Sequence, residues 1–324
     1  LGDTALQIPV ENNSQFRIAS LSKAITAAAI HTLVVSGNIS PTDNIVSHIP
    51  HLLPNNLTGC AYPNHANGWS IANITIQHLL NHRGGLGGTS PLATTSWHYE
   101  HEWVNDSASW KGVNNTCIDH NLVEREYING VQAPVKIETT IRETLRLPLN
   151  SQPGTTYSYS NTGYRILGEI IENASGMGYE EYVKQNVFAP MGVFDTQTGK
   201  TLASQKATDE VIYYDRLNRT DYSFFPQLNS TVEPNEFGVS FGNSSFAPFP
   251  YGGERVVEEM EASGGWISTA VSYARFIAHL DGTLNHPGFN NSFNYFTTNP
   301  FFAGTTGNPA GSGIFFNIAN NQSW

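Results

Sequence analysis

Ser20 and Lys23 stand three residues apart, close enough to share one face of a helix. A serine hydroxyl is a weak nucleophile until a base takes its proton, and an amine serves as that base only when neutral. Lys23 is the only formally charged side chain between Ile18 and Thr42, in a run that holds Ala24, Ile25, Ala27, Ala28, Ala29, Ile30, Leu33, Val34 and Val35. Burying an ammonium there is costly, so desolvation favours the free amine and the pair reads as nucleophile and base. The plainer alternative is a lysine whose stem lies in the core and whose head reaches water. Ser20 would occupy the first helical turn, where N–H groups and the positive dipole end stabilise a developing oxyanion.

Such a pair also needs a route for the proton to a leaving group. A phenol provides one if neighbouring cations lower its pKa, and Tyr159-Ser160-Asn161 is the candidate. Tyr-x-Asn also occurs at Tyr62-Pro63-Asn64 and Tyr127-Ile128-Asn129, but only the third follows a Pro153-Gly154 turn and feeds an amphipathic helix. Ser-x-x-Lys is expected about half a time by chance from 27 Ser and 6 Lys, and it occurs once.

These residues need elements to hold them. A strand-like Phe16-Arg17-Ile18 leads into a buried helix that ends at Gly37. A second helix is predicted from about Thr75 through Ile76, Leu79 and Leu80, capped by Gly84-Gly85. Residues 87–135 lack periodicity and read as a long insertion of loops. Ile166, Leu167, Ile170 and Ile171 form one apolar stripe up to Gly176, and Tyr179 to Phe188 is predicted to be helical until Pro190 breaks it. Residues 205–255 read as irregular structure with short strands. A last helix is predicted near Ser272, with Ala274, Phe276, Ile277 and Leu280 facing inward and Gly282 as its stop.

Four stretches together resemble the serine beta-lactamase-related family: class C beta-lactamases, penicillin-binding proteins, D-aminopeptidases and related esterases. They are Phe16-Arg17-Ile18-Ala19-Ser20-Leu21-Ser22-Lys23, Ile74 to Leu86, Pro153 to Tyr164, and Ser263-Gly264-Gly265-Trp266-Ile267-Ser268-Thr269-Ala270, in family order across most of the chain. The resemblance implies Ser20 as acyl-forming nucleophile, Lys23 as its activating partner and Tyr159 as proton shuttle, with the choice of base between the last two left open. It implies that Asn161 is a hydrogen-bond donor to substrate or to Lys23, and that Gly264 and Gly265 line the substrate. The fold it implies is α+β, beta-lactamase/transpeptidase-like, a helical lobe beside an antiparallel-sheet lobe. Residues 1–45 and 262–324 would belong to the sheet lobe and cleft, and 46–261 to the helical lobe.

The family's Lys-Thr-Gly or His-Thr-Gly motif is absent, and Thr305-Thr306-Gly307 is a poor match. By family order that motif would fall near or beyond Trp324, and the family has a helix and strands before the nucleophile segment. The chain is therefore expected to be cut at both ends, to lack most of the sheet, and to be poorly stable and nearly inactive as residues 1–324 alone.

Composition narrows the setting. Charged residues make up 13% of the 324, and the formal net charge is -11 with 16 Lys plus Arg, so no basic face is available for a phosphate backbone and no nucleic acid partner is expected. Asn-x-Ser/Thr acceptors begin at Asn12, Asn38, Asn56, Asn73, Asn105, Asn114, Asn173, Asn218, Asn229, Asn243, Asn290 and Asn321. Chance would give about five, so a secreted, N-glycosylated protein is expected, its signal peptide not in this chain. Cys60 and Cys117 fit one disulfide in an oxidising compartment, or two free thiols. No apolar run is long enough to span a membrane.

The expected function is hydrolysis of a small ester, amide or peptide bond through a Ser20 acyl-enzyme, without cofactor or metal; the sequence does not fix the oligomeric state. Two other classes compete. A metal hydrolase could be built from His98, His101, Glu102, Cys117, Asp119 and His120, but that stretch lacks a helical period. A non-enzymatic binding or surface glycoprotein could keep the fold and have lost catalysis. An alpha/beta-hydrolase is disfavoured because Gly-x-Ser-x-Gly does not occur.

Overall fold

The computed structural model describes residues 7–53, 68–86, 137–145, 149, 151–213, 257–280, 283–284, 310–311, 314–317 and 322–323. At its centre is helix α1, Ser22–Val35, entered through the 3-10 turn Ala19–Leu21. Every side chain from Ser22 to His31 is buried. A helix that is apolar on nearly every side has to be enclosed on every side, and α1 is packed by the helices Asn161–Ser175, Tyr179–Val183 and Glu261–Gly264.

The helix Asn161–Ser175 forms as its periodicity predicts. Ser160 caps it by accepting the Gly163 N–H at 3.0 Å. Ile166, Leu167, Ile170 and Ile171 are fully buried, and Gly176 ends it in the left-handed region at φ 70°. Gly168 lets it cross close to Glu261–Gly264, since a Cβ there would stand 2.8 Å from that of Ala262.

Three strands make the central sheet: β1, Phe16–Arg17; β2, Gln197–Thr198; and β3, Trp266–Ser268. Their order is β1-β3-β2 and both pairings are antiparallel, with Phe16 opposite Ser268 and Gln197 opposite Ile267. A second antiparallel set joins Ala310–Gly311, Ile314–Asn317 and Gln322–Ser323 in sequence order. Helices dominate and the sheets are small and antiparallel, which is the α+β class expected. One strand of the central sheet, β2, comes from inside 46–261.

Three local expectations are corrected. The second helix spans Ile76–Leu80 and stops well before the glycine pair. Its terminal N–H groups turn back earlier: Arg83 N–H reaches His78 O at 2.7 Å and His82 N–H reaches Leu79 O at 3.1 Å. That is a Schellman closure with His82, at φ 54°, where glycine is usual. Pro190 does not break the following helix. The chain widens into a π turn at Lys184–Phe188, and Pro190 sits in the first turn of Ala189–Met191, where its missing N–H costs nothing; Gly192, at φ 66°, is the stop. In the last helix, Ala270–Leu280, Ala274 is exposed. The buried stripe is Phe276 and Leu280 with Tyr273 and Ile277 half-buried beside them, the i, i+3, i+4, i+7 set to which Ala274 does not belong.

The following expectations fall outside the described residues: Cys60 with Cys117, the insertion with His98, His101, Glu102, Asp119 and His120, and most of 205–255. Gly282, Thr305-Thr306-Gly307 and the acceptors Asn56, Asn105, Asn114, Asn218, Asn229, Asn243, Asn290 and Asn321 also lie there. Among the described residues no helix is long and apolar enough to cross a membrane.

Candidate active site

The turn that carries Ser20 is tied to the sheet on both sides. Ile18 N–H donates to Trp266 O at 3.0 Å, and Trp266 N–H donates to Ser22 Oγ at 3.2 Å. Between these two anchors Ala19 takes φ 46°, a region that side-chain-bearing residues seldom adopt, so the surroundings hold the turn in its shape. Ser20 ends up partly exposed at the start of α1, one helical turn before Lys23.

Lys23 is 1% exposed, so its head does not reach water. Its Nζ donates to Asn161 Oδ1 at 2.6 Å and to Ser263 O at 2.5 Å, and lies 3.3 Å from Ser20 Oγ. Burial, with the nearby Arg165 guanidinium adding to it, holds the amine well below the usual lysine pKa. A neutral amine has two N–H bonds and one lone pair. Two carbonyl oxygens take the N–H bonds, which leaves the lone pair for the third direction, toward Ser20.

Tyr159 lies in the irregular segment between the Pro153-Gly154 turn and the helix that starts at Asn161, and its hydroxyl is 2.7 Å from Ser20 Oγ. The sequence reading required nearby cations to lower its pKa. The structure reverses this: burial pushes the phenol up, against a smaller opposing effect of the Ser20 hydrogen bond. Lys23 Nζ does lie 4.8 Å from the ring centre, but burial of the phenol is the larger effect. Tyr159 is therefore a proton donor at neutral pH. Asn161 is also corrected in its role, because toward Lys23 its side chain accepts.

Gly264 and Gly265 close the wall behind the turn. A Cβ on Gly264 would meet Met260 Cε at 2.8 Å and the Ala19 carbonyl carbon at 3.6 Å, and one on Gly265 would meet Glu261 Cα at 2.7 Å. Gly265 demands close backbone approach, whereas at Gly264 the near atom is the mobile end of Met260; Gly265 O accepts the Gly199 N–H at 2.7 Å. Ser20, Lys23, Tyr159 and Asn161 are thus brought together, with Gly264 directly behind Ala19. The sequence reading missed three contributors: Ser263, whose carbonyl accepts from Lys23; Ser22, which fastens the turn to β3; and His82. All three stood inside the quoted stretches, but nothing in residue type or spacing marks a backbone carbonyl or a buried neutral imidazole as part of a site.

A model of the family described as Beta-lactamase matches residues 1–322. The chain belongs to the Beta-lactamase family. This Beta-lactamase family chain is similar to "Penicillin-binding protein 4*" of Bacillus subtilis, 27% identical over 205 residues, which are 63% of this chain and 35% of that protein. Among solved structures it resembles the D-amino acid amidase of Ochrobactrum anthropi SV3, at TM-score 0.58 and 19% identity, over 97% of this chain and 69% of that one. It also resembles "EstCE1, a hydrolase with promiscuous acyltransferase activity", at TM-score 0.58 and 15% identity, over 98% and 74%. Likeness at these identities shows a shared fold. The chain spans about a third of the length of the curated relative, 35% of it.

Behind the site the helix Asn161–Ser175 carries a buried polar row, Asn161, Arg165 and Glu169, at four-residue spacing. Burial first, then Glu172, Glu138 and Glu261, raise Glu169 to about 7. Burial first, then Glu180 and Glu172, raise Glu261 to about 7. Between the ordinary 4.5 and about 7 the fold holds more protons than the unfolded chain. The contribution of these two groups to stability therefore falls as pH rises through that window. Lys23 and His82, whose pKa values burial lowers, act in the opposite direction, so the contribution is read by difference. Between pH 5 and pH 8 the melting temperature of the parent is expected to drop by about 5 °C relative to that of Glu169→Gln combined with Glu261→Gln. The same pH dependence in both proteins would contradict it.

Proposed function

We propose that the protein is a secreted, N-glycosylated serine hydrolase that cleaves a small ester, amide or peptide bond through an acyl-enzyme on Ser20. The observation that carries this reading is the setting of Lys23, a buried amine whose two N–H bonds go to carbonyls and whose remaining direction faces the serine hydroxyl. Ser20 Oγ attacks the substrate carbonyl carbon as its proton passes to Lys23 Nζ. Tyr159, protonated and hydrogen-bonded to the same oxygen, delivers a proton to the leaving alkoxide or amine and recovers one from Lys23. Water repeats the cycle on the acyl-enzyme and frees Ser20. The Ser20 N–H lies in the 3-10 turn at the N-terminal end of α1, where the helix dipole favours an oxyanion.

Two kinds of support stand beside the geometry. Members of the Beta-lactamase family are serine hydrolases, and the structures similar to this chain include an amidase and a hydrolase with promiscuous acyltransferase activity. Asn12, Asn38, Asn73 and Asn173, the acceptor sites within the described residues, are all exposed, as glycan attachment requires. The test is incubation with a fluorophosphonate or a penicillin followed by peptide mass spectrometry. One adduct, on the peptide that contains Ser20, is expected, and EDTA should not reduce it. Absence of any adduct would instead favour a binding glycoprotein that keeps the fold.

A further inference from the structure

His82 is 2% exposed, keeps a left-handed backbone at φ 54°, and takes no part in the proton path above. Glycine or asparagine would fit that backbone with less strain, so some other interaction has to offset it. Three contacts do so, and they fall on three consecutive residues. The His82 carbonyl accepts the Ser158 N–H at 2.8 Å. Its ring stacks on the Tyr159 ring, with centres 4.5 Å apart and planes 28° from parallel. Its Nδ1 accepts the Ser160 N–H at 3.1 Å.

The segment these contacts grip has no regular secondary structure of its own. A tyrosine on such a segment has two soft side-chain torsions and no helix or sheet ladder to hold its backbone, yet its hydroxyl has to stay within hydrogen-bond reach of Ser20 Oγ. Helix geometry fixes Ser20 and Lys23 relative to one another, but nothing comparable fixes Tyr159.

We propose that His82 is the positioning residue for Tyr159, clamping its backbone on both sides and its ring from below so that the hydroxyl stays on Ser20. This rests on the hydrolase reading for its catalytic consequence, though not for the clamp itself. The chemistry of the imidazole suits the task. Nδ1 accepts from Ser160, which places the ring proton on Nε2, and burial, reinforced by Lys23, holds the ring near a pKa of about 3, so it is neutral throughout the working range. A protonated ring would turn an N–H toward the Ser160 N–H and open the clamp. Tyr157 and Tyr164 close the remaining sides, with ring centres 5.8 Å and 5.1 Å from that of His82. Tyr164 is itself held by a hydrogen bond to Leu80 O at 3.0 Å.

The test is His82→Asn, which tolerates the left-handed backbone and offers a side-chain oxygen to Ser160 but removes the ring. Two quantities are read: the carbon-13 resonance of the Tyr159 ring without substrate, assigned with Tyr159→Phe, and the rate of acylation by a fluorophosphonate or a chromogenic ester. The proposal expects the resonance to shift or broaden. It also expects the acylation rate to fall about 10- to 100-fold, with KM changed less than about threefold, because a displaced catalytic group costs rate rather than binding. His82→Gln is read in the same way if the asparagine variant does not fold. An unmoved resonance with acylation within twofold of the parent would overturn the clamp, and so would failure of both variants to fold, since His82 would then be serving the core. If the resonance moves but Ser20 takes no adduct in the parent, the hydrolase reading fails and the clamp stands.

Discussion

Replacement of Lys23 with methionine is expected to lower the acylation rate by about a thousandfold or more while the fold survives. Methionine has nearly the same length and volume, so α1 keeps its packing against the helix Asn161–Ser175. Two energetic effects oppose one another. Asn161 Oδ1 and Ser263 O lose their donor, at about 1–3 kcal/mol each when a buried acceptor is left unmade. Against this, the parent has to desolvate an amine that would be charged in the unfolded chain, a cost that the variant does not carry. The melting temperature should move by only a few degrees, which separates loss of chemistry from loss of structure. The pH profile gives a second check. In the parent, acylation should rise with pH through the ionisation of Lys23, at a value below that of an ordinary lysine, because only the free amine accepts the Ser20 proton. In Lys23→Met that limb should vanish. Acylation within tenfold of the parent would make Tyr159 the base and overturn the assignment.

How much of this was legible beforehand differs from residue to residue. The Ser20–Lys23 pair was, because helical spacing and one charge in an apolar run are written in the sequence. The helix that starts at Asn161 was legible for the same reason, its four isoleucine and leucine positions and terminal Gly176 being local signals. Gly84-Gly85 misled because His82 accepts a left-handed backbone three contacts away from any local cue. Pro190 misled because a π turn ahead of it removed the need to break the helix. The direction of the Tyr159 pKa was misjudged since it depends on burial of the phenol, opposed in part by its hydrogen bond to Ser20, both of them tertiary properties. The beginning of the site is thus periodic and readable, whereas its proton donor depends on which segments pack against it.

Trp266→Ala is expected to be the most damaging core substitution near the site, lowering the melting temperature by about 5–7 °C, as follows from about 3–5 kcal/mol for emptying a buried tryptophan position in a chain of this length. The indole is fully buried on β3. Its ring meets Phe188 edge-on at 5.2 Å and Tyr179 at 5.9 Å, and its Nε1–H donates to the Tyr179 hydroxyl at 3.0 Å. That hydroxyl is also 2.6 Å from Thr26 Oγ1, which donates to Ala262 O at 2.6 Å, so the indole supports a chain of hydrogen bonds between α1 and the Ser263-Gly264-Gly265 turn. The backbone of the same residue holds Ile18 and Ser22, the two anchors of the nucleophile turn. Loss of the side chain should therefore loosen β3 and reach Ser20 through the main chain, giving slower acylation even at temperatures where the variant is folded. Trp266→Phe separates the contributions. It keeps most of the apolar volume and removes one donor, so it should lose less than half as much stability, and acylation should remain within about tenfold of the parent. Calorimetry and acylation kinetics on both variants check this. If Trp266→Ala unfolds no earlier than the parent, β3 is not the keystone between the core and the serine turn.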